Sequence, residues 1–190
     1  MFFKFIRVIA KILAFLLYRV EASGMEHLPE NGAYIVCANH IHAFDPVALT
    51  TLIKRQPRFM GKKELFENFF LGAFFRALGA YPVDRNSTDL QAYRKTMDIL
   101  KDGHGLMIFS QGTRMEGFEN AKSGVALFAL KSGAPIIPVG ISGSYKLWST
   151  VSVKFGEPIP MTPYEGKKVK TELVDEVMSI VTKRIVALTK

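Results

Sequence analysis

The sequence predicts an α/β fold, a mostly parallel or mixed central sheet flanked by helices, and three observations carry that expectation. Short apolar runs of strand length recur along the chain, among them Ala33 to Ala38, Gly105 to Phe109 and Ala134 to Ile141. Segments of helical period alternate with them, which is the order that builds a sheet with helices on its faces. The length of 190 residues, with 48% hydrophobic and 22% charged, gives one domain with a real core. It excludes a disordered tail, and a barrel of eight strand–helix units would want about 250 residues.

The chain opens with FFKFIRVIAKILAFLLYRV over residues 2 to 20, where Lys4, Arg7 and Lys11 recur at helical spacing and leave Phe, Ile and Leu on the opposite side. That is an amphipathic helix suited to lie in a bilayer interface, its cations toward anionic headgroups. Its longest uncharged stretch, Ile12 to Tyr18, is seven residues, far short of the about 20 that span a bilayer. Two rivals are an ordinary core helix and a signal peptide. Against the latter, Lys11 breaks the apolar run and no small-x-small site precedes Glu21. The expected organisation is a membrane-interface helix over 1–20 and one domain over 21–190, placed peripherally on the cytoplasmic side of the cell membrane.

Gly24 to Gly32 is a turn-rich connector, and Ala33 to Ala38 is the first strand. Asp45-Pro46 opens a helix to about Lys54, Pro57 to Gly61 is a second strand, and Glu64 to Leu78 is a Phe-rich helical stretch. Ala80 to Val83 is a short strand, and Ser87 caps a helix running to Lys101. Strand Gly105 to Phe109, helix Lys122 to Lys131 and strand Ala134 to Ile141 follow. Val151 to Phe155 adds an edge strand, and Thr171 to Leu188 closes the domain as a helix. Open sheets of this kind bind ligands in the loops beyond the carboxyl ends of their strands.

The 25 Lys and Arg against 17 Asp and Glu leave a formal charge of +8, so a polyanion is expected: nucleic acid, an anionic bilayer or a phosphorylated substrate. The single cysteine, Cys37, forbids an intrachain disulfide and any multi-cysteine metal site, and fits a reducing compartment.

Four blocks carry chemistry. In Asn39-His40-Ile41-His42-Ala43-Phe44-Asp45, a histidine can take a proton from a hydroxyl near neutral pH while Asp45, folded back onto it, fixes the tautomer. Asp45 before Pro46 also reads as a helix cap. His40 and His42 as metal ligands are a further reading, weakened by a total of four histidines. Gly79 to Arg85 ends a strand in Asp84-Arg85, where Arg85 can grip a phosphate with its forked donors. In Phe109-Ser110-Gln111-Gly112-Thr113-Arg114, Gly112 frees the backbone to turn or to approach an anion, Thr113 adds a hydroxyl and Arg114 a cation, with Lys122 close behind. Ile136-Ile137-Pro138-Val139 reads alone as a buried strand. Phosphate-loop, dinucleotide, zinc-protease and serine-elbow signatures are absent from the sequence.

In this order the four blocks resemble those of the lysophospholipid and glycerol-3-phosphate acyltransferase family, most closely its bacterial 1-acylglycerol-3-phosphate branch, over roughly residues 20 to 160. Asn39-His40 to Asp45 matches the N-H-x4-D block, and Gly79 to Arg85 the glycine-to-arginine block. Phe109 to Arg114 matches F-P-E-G-T-R, and Ile137 to Val139 matches V-P-[IV]. The resemblance implies transfer of a fatty acyl group from a thioester, on coenzyme A or acyl carrier protein, to the sn-2 hydroxyl of lysophosphatidate, giving phosphatidate with no acyl-enzyme and no further cofactor. It makes His40 the general base oriented by Asp45, and assigns Arg85, Gln111, Gly112, Thr113, Arg114 and Lys122 to the acceptor. Lys62 aligns with a lysine block of the family and becomes the cation on the oxyanion side. Ser110-Gln111 departs from the usual Pro-Glu, so the ion pair that glutamate would make is lost. Two alternatives stay open: acylation of another lysophospholipid, and a weakened homologue that binds anionic lipid.

Lys54, Arg55, Arg58, Lys62 and Lys63 form a cationic patch able to face lipid headgroups or the donor's phosphates, or simply a solvated edge. Phe66, Phe69, Phe70, Phe74 and Phe75 crowd one segment as core, acyl channel or membrane-dipping surface. No nucleic-acid reading motif accompanies the basic residues.

Overall fold

In a computed structural model the chain is described at Val8 and over residues 18–83, 90–110 and 119–190, with side chains from 124 onward in the last segment. Among the described residues seven strands make one sheet: β1 (Arg19–Ser23), β2 (Tyr34–Ala38), β3 (Arg58–Lys62), β4 (Ala80–Val83), β5 (Gly105–Phe109), β6 (Ile136–Gly143) and β7 (Thr150–Phe155). Their spatial order is β1-β7-β6-β2-β5-β3-β4. Neighbours are parallel except β6 against β7. The expected α/β class, mostly parallel with one antiparallel pairing, is the observed one. The helices are α1 (Asp45–Leu52), α2 (Phe69–Ala77), α3 (Leu90–Lys101), α4 (Glu119–Ser132) and α5 (Thr171–Leu188).

The central strand shows why the chain folds in three layers. Every residue of β2, Tyr-Ile-Val-Cys-Ala, is buried, as a parallel strand covered on both faces must be. Ile35 and Cys37 join one core, packed under α3, α4 and α5, with Leu100, Val125 and Val177. Tyr34, Val36 and Ala38 join the other, under α1 and α2, with Leu49 and Phe59. Period-two alternation thus divides one apolar run between two cores.

Three expectations change. Arg19 and Val20 belong to β1 and not to the end of an amphipathic helix; apart from Val8, residues 2 to 17 lie outside the described residues. β1 pairs with β7 from Arg19 opposite Thr150 to Ser23 opposite Lys154, so Val151 to Phe155 is covered and is not an edge. The stretch Glu64 to Leu78 is two pieces, a 3-10 turn at Lys63–Phe66 and then α2. The break has a chemical cause: Asn68 accepts from the N–H groups of Phe70 and Leu71 at 3.0 and 3.1 Å, capping a new helix. α4 starts three residues before Lys122, and the expected cap Ser87 lies outside the described residues.

Gly79 explains the glycine of its block. It takes φ 95 between α2 and β4, and a Cβ there would stand 2.6 Å from the Pro57 carbonyl oxygen. Both the left-handed backbone and the close approach require glycine.

Candidate active site

The parallel strands β2, β3, β4, β5 and β6 end on one edge of the sheet, and the described parts of the four sequence blocks lie at that edge or along the strands that lead to it. His40 follows β2 by two residues, Ser110 follows β5 directly, Lys62 ends β3, and β4 leads into Asp84-Arg85.

Asn39 fixes the corner. Its side-chain Nδ2 donates to the Ile141 carbonyl and its Oδ1 accepts the Ile141 N–H, both at 2.7 Å. The β2–β6 ladder runs from Ile35 opposite Ile136 to Ala38 opposite Val139. The amide side chain of Asn39 takes the place of a peptide in that ladder, so the backbone can leave the strand while the corner stays tied to β6. Ile137-Pro138-Val139, in β6, supplies the opposite rail.

The released loop brings His40 to Asp45. His40 Nδ1 lies 2.6 Å from Asp45 Oδ2, which also accepts the N–H groups of Ile41 at 2.7 Å and His42 at 2.8 Å. Asp45 Oδ1 accepts the Tyr145 hydroxyl at 2.7 Å. The Asp45 side chain is fully buried, whereas that of His40 is 36% exposed. Burial by itself pushes the Asp45 carboxyl up, yet the donors from His40, the His42 backbone, Tyr145 and the Ile41 backbone outweigh it and hold the group below the ordinary carboxylate range. It is an anion at neutral pH. Tyr145 moves the other way, raised first by burial and then by its bond to Asp45, so its hydroxyl stays protonated and keeps donating.

Asp45 is therefore not a helix cap. The cap residue of α1 is Phe44, with no side-chain capping bond, and Pro46 occupies the first turn. The Asp45 carboxylate turns back into the loop. With Nδ1 committed to it, His40 has Nε2 for proton transfer. Phe109 stacks on the imidazole at 4.5 Å between ring centres and 29°, fixing the ring plane. His42 is engaged differently: its Nδ1 accepts the Phe44 N–H at 3.3 Å and its ring stacks on Tyr145 at 4.6 Å. Among the described residues no group of three or more His, Cys, Asp or Glu side chains is placed to hold a metal ion.

Ser110, where the resembling family usually has proline, donates its backbone N–H to the Ala38 carbonyl at 2.7 Å. Proline has no N–H to give. The substitution therefore adds a tie between β5 and the strand end that carries His40. Buried Cys37 has a thiol pushed up to about 12, mainly by burial, with a hydrogen bond to Ser110 acting against it; it is an inert core thiol.

Lys62 ends β3 and faces Glu64 at 3.4 Å, both side chains about half exposed. With β5 between β3 and β2, two strand spacings, roughly 10 Å, separate its strand from that of His40. Arg85, Gln111, Gly112, Thr113 and Arg114 lie outside the described residues, and Lys122 is described only as backbone in α4. Sequence reasoning missed Tyr145, 100 positions from Asp45 and in no motif, and gave Phe109, the first residue of its block, no part in holding the imidazole. Asn39 stood in its block without a role.

A family model described as Acyltransferase matches residues 19–142. The 1-acyl-sn-glycerol-3-phosphate acyltransferase of Bacillus subtilis (strain 168) is 29% identical over 163 residues, covering 83% of this chain and 82% of the relative. The enzyme of the same name from Streptococcus pneumoniae is 30% identical over 189 residues, 93% of this chain and 69% of the relative. The crystal structure of the 1-acyl-sn-glycerophosphate (LPA) acyltransferase PlsC from Thermotoga maritima superposes with a TM-score of 0.71 at 25% identity, covering 98% of this chain and 79% of that one. A matched segment that runs from β1 into β6, past the His40–Asp45 corner and the loop after β5, places the chain in the acyltransferase family.

Proposed function

We propose that the chain transfers a fatty acyl group from a thioester, acyl-CoA or acyl carrier protein, to the sn-2 hydroxyl of lysophosphatidate, giving phosphatidate for phospholipid synthesis. The observation that carries the reading is the His40–Asp45 pair, one nitrogen of a part-exposed imidazole bound to a buried, four-fold hydrogen-bonded carboxylate.

The acceptor's hydroxyl gives its proton to His40 Nε2 as its oxygen attacks the thioester carbonyl carbon. Asp45 stabilises the imidazolium that forms, as the buried acid of a hydrolase triad does. The tetrahedral intermediate expels the thiolate, which takes the proton back from His40, so the imidazole ends neutral and no acyl-enzyme arises. In this reading Lys62 faces the developing oxyanion, while Arg85, Arg114 and Lys122 neutralise the acceptor's phosphate beside Gln111, Gly112 and Thr113. No metal or cofactor enters. The substrate is a membrane lipid, and residues 1–18, ahead of β1, would hold the protein on the cytoplasmic face of the cell membrane. No helix among the described residues is long and apolar enough to cross one.

The test is to incubate purified protein with lysophosphatidate and either acyl-CoA or acyl carrier protein, and to follow the lipid product by mass spectrometry. Phosphatidate that depends on His40 supports the reading. Product only with a different lysophospholipid moves the acceptor, and vesicle binding without any product makes the chain a lipid-binding homologue.

A further inference from the structure

We infer that the carboxyl edge of the sheet docks on an anionic bilayer, with Leu147 and Trp148, at the tip of the β6–β7 turn, entering the boundary between headgroups and acyl chains. The inference rests on the lipid-acceptor reading above and adds the surface that meets the lipid.

Its first support is how exposed apolar side chains are distributed. Single exposed apolar residues scattered over a surface need no explanation, but a concentration on one edge does. Apart from Val8 and Val186, every large apolar side chain exposed among the described residues lies in a segment that leaves the carboxyl edge. Ile41 and Phe44 are in the loop that holds His40, others are the first residues of α2 and α3, and Leu147 and Trp148 are in the turn after β6.

The second support is the turn itself. Leu147 is 63% exposed and Trp148 70% exposed. Trp148 holds φ 66, a left-handed backbone that a bulky residue adopts at a cost. Hydrogen bonds hold the turn in that state: Ser149 Oγ donates to the Ser144 and Lys146 carbonyls, and the Ser149 N–H donates to the Lys146 carbonyl at 3.0 Å. The fold thus fixes an indole in water when nothing in the core requires it there. Indole favours the bilayer interface, where its ring is apolar and its N–H remains wet.

Charge and position agree. Lys146 stands beside the pair in a chain of formal charge +8, and cations near an anionic surface add attraction. Tyr145, at the base of the turn, binds Asp45, so the tip is attached to the site it would bring to the lipid. β1 also starts at this edge, with Arg19 opposite Thr150, so the exposed cation of Arg19 lies on the same side.

Trp148 is the single tryptophan, which makes intrinsic fluorescence of the full chain a direct readout. On adding phosphatidylcholine–phosphatidylglycerol vesicles, emission should shift to the blue, and vesicles with brominated acyl chains should quench it. Leu147→Ser keeps the reporter and should weaken vesicle binding about tenfold, in line with partial burial of one large apolar side chain. Unshifted emission from protein that sediments with vesicles would overturn the inference. So would emission already blue in free protein and unchanged by vesicles, because the tip would then be covered by the chain itself. Turnover of a short-chain, monomeric lysophosphatidate without vesicles reads the activity separately: Leu147→Ser should leave it unchanged, and its absence in the wild-type chain would fail the functional reading while the vesicle signal stood or fell independently.

Discussion

Two acid–base pairs lie at the same edge of the sheet, and they differ in almost every physical respect. Asp45 and His40 meet at 2.6 Å with the carboxylate fully buried and three further donors on it. Glu64 and Lys62 meet at 3.4 Å with both side chains about half in solvent. A buried charge is tolerated only when its hydrogen bonds are complete, so the surrounding chain must be shaped to supply them. The His40 ring, the backbone N–H groups of Ile41 and His42, and the Tyr145 hydroxyl are that supply. An exposed pair demands nothing of its surroundings and contributes correspondingly little. The first pair is an arrangement the fold maintains, and the second is a contact between two surface side chains.

Breaking the first pair should therefore have the largest effect. His40→Ala should lower acyl transfer about 10³-fold or more while the folded state persists, since the ring is part-exposed and, among the described residues, no other imidazole nitrogen meets the Asp45 carboxylate. Asp45→Asn should cost about 10²-fold or more, leaving a trace because the imidazole remains without its orienting charge. Steady-state rates alongside circular dichroism decide this. A folded His40→Ala protein with full activity would remove the mechanism.

The same contrast explains which features were legible in the sequence. The buried strands β2, β4, β5 and β6 announce themselves as apolar runs, because both of their faces are covered. β1, Arg-Val-Glu-Ala-Ser, is mostly exposed, and Val20 and Ala22 are its only apolar side chains, too few to mark a strand. It also follows directly on an apolar stretch of helical period, so Arg19 and Val20 read as the end of that stretch. The His40–Asp45 pair was legible because its residues are five apart in one block. Tyr145 was not, since its meeting with Asp45 depends on β6 lying beside β2, which is a property of the folded sheet. Asn68 carried the cap signal that divides Lys63–Phe66 from α2, but the surrounding phenylalanines read as one continuous helix.

At the acceptor end, Arg114→Ala or Arg85→Ala should raise the Michaelis constant for lysophosphatidate much more than that for the donor. Loss of a charge-assisted contact costs ~1.5–3 kcal/mol, or roughly ten- to 150-fold in acceptor specificity. Arg114→Lys should recover only part, because an ammonium cannot reproduce the paired donors of a guanidinium. If donor binding alone weakens, the arginines face the carrier's phosphates and the two ends of the site are reversed.

Tyr145→Phe sharpens the comparison by removing one donor from Asp45 while keeping the ring that stacks on His42. Turnover should fall about tenfold, in keeping with loss of one hydrogen bond to a buried charge. Asp45 titrates below the ordinary carboxylate range in the folded protein, so its contribution to stability is present above that range and disappears as pH falls through the folded value. With one donor fewer the carboxyl moves up, and acid unfolding should begin at a higher pH than in the wild-type chain. The acidic limb of kcat/KM against pH should move the same way, because a carboxylate with fewer donors holds the shared proton of the pair more tightly. A tyrosine that merely fills space would leave that limb in place.

The smallest effects belong to the exposed pair. Glu64→Gln removes the partner of Lys62 at 3.4 Å without changing size, and an ion pair so open to water is worth about 0–1 kcal/mol. Thermal denaturation of Glu64→Gln and of Lys62→Met should therefore stay close to wild type. Their activities separate the two roles of the lysine. If Lys62 meets the oxyanion, Lys62→Met lowers kcat with little change in either Michaelis constant, because the interaction exists only as charge develops. Glu64→Gln, which frees that cation, then leaves kcat equal to wild type or above it. If both substitutions leave kcat untouched, Lys62 is a solvated surface cation, and the oxyanion must find its donor elsewhere on the edge.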